Sequence, residues 1–510
     1  MRKWSPLVAV CLGTFMLLVD VTIVNVALPS MAVALDASFV SLQWVIDGYA
    51  LALAALLLVA GACADRFGRR TVYVAGLALF ALASLACGLA PHPGALVAAR
   101  LVQGAGAAAM FAATAALLQS SYSGRDRGTA FGVWGAVNGA SAAAGPLLGG
   151  VLTEAFSWRS IFLVNLPIAV AAILLSLRVL PASRTSAGRV DVPGGLSFTL
   201  AAAAAVFGLI SGGENGWAAR ETLISFVVAV LALVAFIAVE RLSARPLLDL
   251  GLFRRPSFVV LMLTALILQA AAFGNFAYIS LWLQSVLGLG PLPAGLVVLP
   301  LSMASFAVSI LLGRFLHGRP PRLPVGVGLL LIGTGVLLMM LLAPDSGWAV
   351  LVPGLVVTGL GVGLATPVLV YATLATVPAE RAGMAGGAVN TFRQLGMAIG
   401  IAVLGTVFSS RVVEVIAGHP GIGDPQSVGD AVSGGGSAAL LASVPASAVL
   451  GLRTSIDSAF AAGLDRIFLI GGTSAVLCGV LVLTVLRPRE PAESASESAI
   501  EPGPVSADRR

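Results

Sequence analysis

Apolar runs of about twenty residues recur along the chain, each closed by a charged or Pro/Gly-rich break. They lie at 6–29, 42–63, 71–90, 94–119, 129–152, 160–180, 192–211, 221–241, 257–285, 292–316, 323–343, 347–371, 387–411 and 466–486. A hydrocarbon core about 30 Å thick needs about 20 residues of helix. The pattern therefore predicts an all-α integral membrane fold with fourteen transmembrane helices. Run 1 follows Arg2 and Lys3 as a signal peptide would. It is too long, contains Asp20 and lacks a small-x-small cleavage site, so it reads as an uncleaved span. Composition narrows the class further. Of 510 residues, 58% are hydrophobic and 10% charged, with a mean hydropathy of +1.00. Soluble domains carry about 25% charged residues. This chain has too little charge to be an ordinary soluble enzyme, a disordered protein or a fibrous one.

Charge placement sets the expected topology. All Lys and Arg except Arg100, Arg159, Arg220, Arg411, Arg453 and Arg466 fall on segments facing one side. The positive-inside rule makes that side the cytoplasm and puts both termini there. The net charge of +6 is then accounted for without nucleic acid. Trp44, Trp158, Trp217 and Trp348 sit near predicted outer ends, as an interfacial belt requires. Residues 412–465 read as a long outer loop in which Ala438–Leu452 is apolar but too short to span. Residues 490–510 are Glu/Ser/Pro-rich and read as a disordered cytoplasmic tail.

Several chemistries lack residues. Lys3 is the only lysine, so no Walker-type phosphate loop is encoded. Cys11, Cys63, Cys87 and Cys478 have no Cys-x-x-Cys spacing and read as small packing residues. His92, His317 and His419 fall in loops or at helix ends without metal-ligand spacing. The expectation is a protein that is not an enzyme and uses no cofactor or metal.

Intramembrane charge is costly, which makes Asp20, Asp47 and Arg100 candidates for function. A carboxyl group there can carry a proton when neutral and pair with a cation when ionised. The competing reading is a buried Asp–Arg pair that only fixes packing. The turn after run 2 reads Gly61-Ala62-Cys63-Ala64-Asp65-Arg66-Phe67-Gly68-Arg69-Arg70. Plain positive anchoring explains Arg66, Arg69 and Arg70. Asp65 and the glycines suggest more: a tight turn at Gly68 and a carboxylate that pairs with an arginine or caps a neighbouring helix, latching the inner side shut. Run 5 carries Gly128, Gly132, Gly135, Gly139, Ser141, Gly145, Pro146, Gly149 and Gly150. Small residues four apart let helices approach closely, and Pro146 can kink the span. The run reads as tight packing and as a pliable seam between moving halves.

At these residues the chain resembles the major facilitator superfamily, in particular its 14-helix drug:proton antiporter branch. The 61–70 turn is similar to the superfamily's inner-loop motif, with Cys63 in place of the usual Leu. Arg100-x-x-Gln103-Gly104-x-Gly106 resembles a span-4 motif whose arginine serves proton relay. Gly145-Pro146-x-x-Gly149-Gly150 resembles the span-5 antiporter motif, with Gly139 upstream. Leu18-Val19-Asp20-x-Thr22-Ile23-Val24-Asn25 resembles the span-1 motif, and Trp44-Val45-Ile46-Asp47-x-Tyr49 a span-2 start. Gly313–Arg319 looks like a degenerate second inner-loop motif without its acidic residue.

The resemblance implies two six-helix bundles, 1–185 and 251–489, with two inserted helices in 186–250. The bundles would rock around a central cavity. It further implies proton-coupled efflux of drugs or antibiotics across the cell membrane, through Asp20, Arg100 and Asp47. The alternative is a dedicated exporter of one endogenous metabolite, such as an antibiotic or siderophore; outside transport, a membrane scaffold or sensor. The implied partners are a small hydrophobic substrate, protons and the lipid bilayer, with the protein acting as a monomer. Asn25, Gln103, Gln269, Asn275, Tyr278, Trp282, Gln284, Asn390, Arg393 and Gln394 are candidates to line the cavity. Runs 9 to 14 hold no deep carboxylate, since Glu414 and Asp465 lie at outer edges. Neutral, zwitterionic or monocationic substrates are therefore expected before dications.

Overall fold

The computed structural model describes residues 2–37, 39–181, 191–243, 246–313, 320–418, 424–433, 436–444 and 446–486. The side chains of Asn25 and Pro146, residues 314–319 of the second loop motif, and the tail lie outside this description. Among the described residues the regular structure is entirely helical. The first half comprises α1 (Ser5–Leu35), α2 (Phe39–Phe67), α3 (Arg69–Gly88), α4 (Pro93–Ser121), α5 (Gly124–Ala155), α6 (Ser160–Leu163) and α7 (Asn165–Val179). An inserted pair follows, α8 (Val192–Asn215) and α9 (Arg220–Leu242). The second half comprises α10 (Pro256–Phe273), α11 (Phe276–Ser285), α12 (Pro291–Gly313), α13 (Arg322–Leu338), α14 (Val352–Leu374), α15 (Ala382–Ala417), α16 (Pro425–Ser433), α17 (Ser437–Ser443) and α18 (Ala446–Val485).

Helix starts follow local chemistry. Proline opens α4 and α10, where its missing N–H costs nothing. The His92 ring caps α4 by accepting from the Ala95 N–H at 3.2 Å, and Asp191 caps α8 through Gly194 at 2.8 Å. Two predicted runs are broken helices. Run 6 splits at Val164 into α6 and α7, and run 9 splits at Gly274–Asn275 into α10 and α11.

Thirteen described helices are long and apolar enough to cross a membrane. The helix at the fifth predicted run, α5, is long but not among them. Its glycines, Asn138 and Trp134 dilute its hydropathy. The expected loop 412–465 needs correction. α15 continues to Ala417 and α18 begins at Ala446, so the connection is far shorter and holds α16 and α17. Hydropathy marks only the stretch that matches hydrocarbon, whereas backbone hydrogen bonding carries a helix past that boundary into polar sequence. The tryptophan belt also fails at Trp158, which is 3% exposed and packs edge-on against Phe162.

The packing reveals two related halves. α3 and α4 meet where Gly76 faces Gly106, and α13 and α14 meet where Gly328 faces Gly361. Between the halves, α2 packs on α15 and α5 on α12. With runs 1–6 corresponding in order to runs 9–14, each of these two seams is the image of the other. α8 and α9 pack on each other, and α8 lies against α2 and α15.

α5 presents glycine to both sides. Gly135 and Gly139 face Ser309, Ser302 and Ser305 of α12, while Gly145 and Gly149 press on Thr22 and Ile23 of α1. A Cβ at Gly149 would stand 2.9 Å from the Ile23 carbonyl oxygen. The run thus lies on the seam and also packs tightly. Gly150 has open space around it.

Candidate functional site

Asp20 of α1 is fully buried and ion-paired with Arg100 of α4. Five helices, α1, α2, α3, α4 and α7, contribute to the pair and its partners. Gln103 donates from Nε2 to Asp20 Oδ1 at 2.9 Å and to Ser84 Oγ at 2.8 Å. Asn165 donates from Nδ2 to the same Asp20 oxygen at 2.9 Å. Arg100 donates to Gln103 Oε1 at 2.8 Å and, from Nε, to the Val45 carbonyl at 2.9 Å. Its guanidinium lies 4.2 Å from the Tyr49 ring centroid. The Tyr49 hydroxyl is buried without a partner among the described residues. The charge is held by several coordinated donors, in a setting that magnifies every hydrogen bond.

Asp20 and Arg100, both singled out by the sequence, are brought together. The sequence placed Gln103 in the substrate cavity; the structure instead buries it fully inside the Asp20 cluster. The reason is spacing: Gln103 lies one turn from Arg100 on the same face. Asn165 and Ser84 escaped notice, although a lone Asn inside the apolar 160–180 run was the available signal. Asp47 is half-buried. It lies two positions from both Val45 and Tyr49, about 200° around the helix, which turns it to another face of α2.

A second constellation closes one end of the seam. Asp65 accepts from the backbone N–H groups of Gly383 and Met384, each at 2.8 Å. These are among the first N–H groups of α15, so a carboxylate from one half caps a helix of the other. Arg69 stands 3.6 Å from the same carboxylate and donates to the Ala116 carbonyl at 3.2 Å. Arg70 donates to the Leu177 and Leu180 carbonyls at 2.7 and 3.1 Å, tying α3 to the end of α7. Arg66 lies over the Phe67 ring. Gly68 turns the chain at φ 95°, a conformation glycine adopts without strain. Gly61 meets Gly383 and Gly387 backbone to backbone.

Asp65→Ala removes both acceptors and the charge that the α15 N-terminus attracts. A lost cap costs about 1 kcal/mol, roughly a five-fold change in an equilibrium. Spin labels on Phe67→Cys and Glu380→Cys should show the separated population rising by about that factor. An unchanged distance distribution would deny Asp65 a latching role.

The remaining polar candidates are divided. Gln269, Asn390 and Arg393 come together: Arg393 Nε donates to Gln269 Oε1 at 3.4 Å and Nη1 to Asn390 Oδ1 at 3.3 Å. Gln394, next in sequence, is half-buried. Tyr278 is spent on the Ile401 carbonyl at 2.7 Å, and Asn275 on Ala271 of its own run at 2.9 Å. Trp282 is fully buried. Gln284 lines a cavity of about 700 Å³ beside Arg453 and Asp457, at the end of the molecule away from Asp65.

The fold and site define a polytopic membrane protein of two helical halves, with a charge cluster inside one half and a carboxylate of that half capping a helix of the other. The sequence model of the Major Facilitator Superfamily matches residues 10–401, and the chain belongs to that family. It is 36% identical over 415 residues to the multidrug resistance protein Stp of Mycobacterium tuberculosis (strain CDC 1551 / Oshkosh), covering 81% of this chain and 77% of Stp. It is 33% identical over 514 residues to the tetracenomycin C resistance and export protein of Streptomyces glaucescens, covering 97% and 94%. The fold is similar to that of the proton:xylose symporter XylE, with a TM-score of 0.63, 14% identity and coverage of 95% and 96%.

Proposed function

We propose that this chain is a proton-coupled exporter of drugs or antibiotics in the cytoplasmic membrane, working by alternating access between the two halves. The observation that carries this is the buried Asp20–Arg100 pair with its ring of amide donors. A proton taken by Asp20 cancels the charge that holds Arg100, Gln103 and Asn165 in place. Contacts from five helices are then free to rearrange, whereas a pair serving only as packing has no use for so many converging donors. Asp47 contributes to proton or substrate binding from the neighbouring face of α2.

The Asp65 end is the cytoplasmic one, which the arginine distribution supports along with cytoplasmic termini. With Asp65 seated on α15, that end is shut. The protein works as a monomer on proton-motive force, without cofactor and without catalysis. One charge crossing 100 mV is worth about 2.3 kcal/mol, which sustains roughly a 50-fold gradient of a neutral drug.

Cells expressing the chain should accumulate several-fold less dye or antibiotic than cells without it, and a protonophore should erase the difference. Accumulation that ignores the protonophore would sink the coupling. The same assay tests the alternative of a single endogenous metabolite, which the export protein for one antibiotic among the relatives favours. Efflux of several unrelated compounds supports multidrug export, and efflux of one supports the dedicated exporter.

A further inference from the structure

Among the described residues two arginines are buried, Arg100 and Arg393, and they are treated differently. Arg100 faces the Asp20 carboxylate. Arg393, 8% exposed, has no carboxylate partner among the described residues. Its partners are neutral: Gln269 Oε1, Asn390 Oδ1 and the Phe111 ring face 5.9 Å away. At 3.3 and 3.4 Å the two hydrogen bonds are long, and Nη2 has no partner among the described residues. Beside it the Asn390 amide nitrogen is completely buried and also unpartnered. Two donors on residues that touch each other are thus left without an acceptor among the described residues.

Position adds to this. Arg393 lies eleven residues into α15, roughly 16 Å from the latched end at 1.5 Å per residue, near the membrane midplane. Phe111 belongs to α4 of the other half, so the group sits where the halves meet. That is where transporters of alternating access hold their substrates. A buried cation without a counter-charge is costly, and a packing role would be served as well by an uncharged side chain.

We infer that Arg393, Asn390 and Gln269 form a subsite for an anionic oxygen of the exported molecule, a carboxylate or an acidic phenolate or enolate. The ligand supplies the missing counter-charge: Arg393 and the Asn390 amide donate to it in charge-assisted hydrogen bonds. Organic acids and zwitterions are then preferred to lipophilic cations, which departs from the neutral, zwitterionic or monocationic substrates expected from the sequence. This inference rests on the export reading and adds the substrate class.

Matched dyes test it. Rhodamine B carries a free carboxylate and its ethyl ester does not; pyrenebutyric acid and its methyl ester form a second pair. Binding to the purified full-length chain is read by fluorescence anisotropy, and export by accumulation in expressing cells. The acids should bind about tenfold more tightly than the esters. Arg393→Gln should bring each pair within about two-fold, and Arg393→Lys should keep part of the preference. The wild-type comparison holds even where a variant folds poorly. Esters bound and exported as well as or better than acids would overturn the acid subsite and leave export standing. A preference that survives Arg393→Gln would overturn the role of Arg393. Failure to bind or export either member of both pairs would sink the export reading and this subsite with it.

Discussion

Asp20→Asn is expected to abolish proton-driven export, lowering substrate accumulation in inverted vesicles at least about tenfold. Asparagine matches the volume of Asp20 but cannot take up or release a proton. It also leaves Arg100 buried without its counter-ion. Removing one partner of a buried pair costs about 3–5 kcal/mol, so the single variant should also be less stable. The double variant Asp20→Asn/Arg100→Gln separates the two effects. It removes both charges, so folding should largely recover while proton coupling stays lost. Any residual transport should then be indifferent to pH. Normal proton-dependent uptake by either variant at equal expression would show that the pair only packs the bundle. Arg100→Ala alone should shift the pH optimum of export, because the cation that favours the ionised carboxylate is gone.

Gly61→Val should lose export by more than tenfold while the chain still folds. A Cβ at Gly61 would come too close to the Gly383 carbonyl oxygen, within 3.0 Å of its carbon and 3.2 Å of the Gly387 Cα. All of these are backbone atoms, so no flexible side chain can swing aside. The added volume must push α2 and α15 apart, and the Asp65 cap on α15 depends on their contact. Spin labels at positions 67 and 380 should report a longer distance for Gly61→Val. Gly213→Val, on a part of α8 with open space around it, controls for the substitution itself and should export normally. A Gly61→Val protein with wild-type distances and transport would show that the seam is loose enough to need no glycine.

The Asp65 cap on α15 shows why a local motif can be read in advance and its partner cannot. Gly61, Asp65, Gly68 and the arginines stand within ten residues, so their turn and charge pattern are visible along the chain. The N–H groups that Asp65 accepts from lie more than three hundred positions away, and a backbone N–H leaves no mark on the sequence. Gln103 shows the opposite failure. It was visible as a polar residue in an apolar run, but whether it faces a cavity or Asp20 depends on the rotation of α4 against α1. Tyr278 and Asn275 likewise looked available and turn out to be committed to carbonyl oxygens.

Hydropathy and charge alone determined that this is a polytopic helical membrane protein, where most of its helices lie, and which buried charges need explaining. These follow from the cost of placing charge and unpaired backbone in hydrocarbon, which acts on each segment separately. Only the tertiary structure decided that Arg100 has a carboxylate partner while Arg393 has none among the described residues, that Asn165 joins Asp20, and that α15 and α18 run past their apolar cores. Partnership between side chains on different helices depends on how those helices are rotated and crossed, and single-segment periodicity carries no information about either.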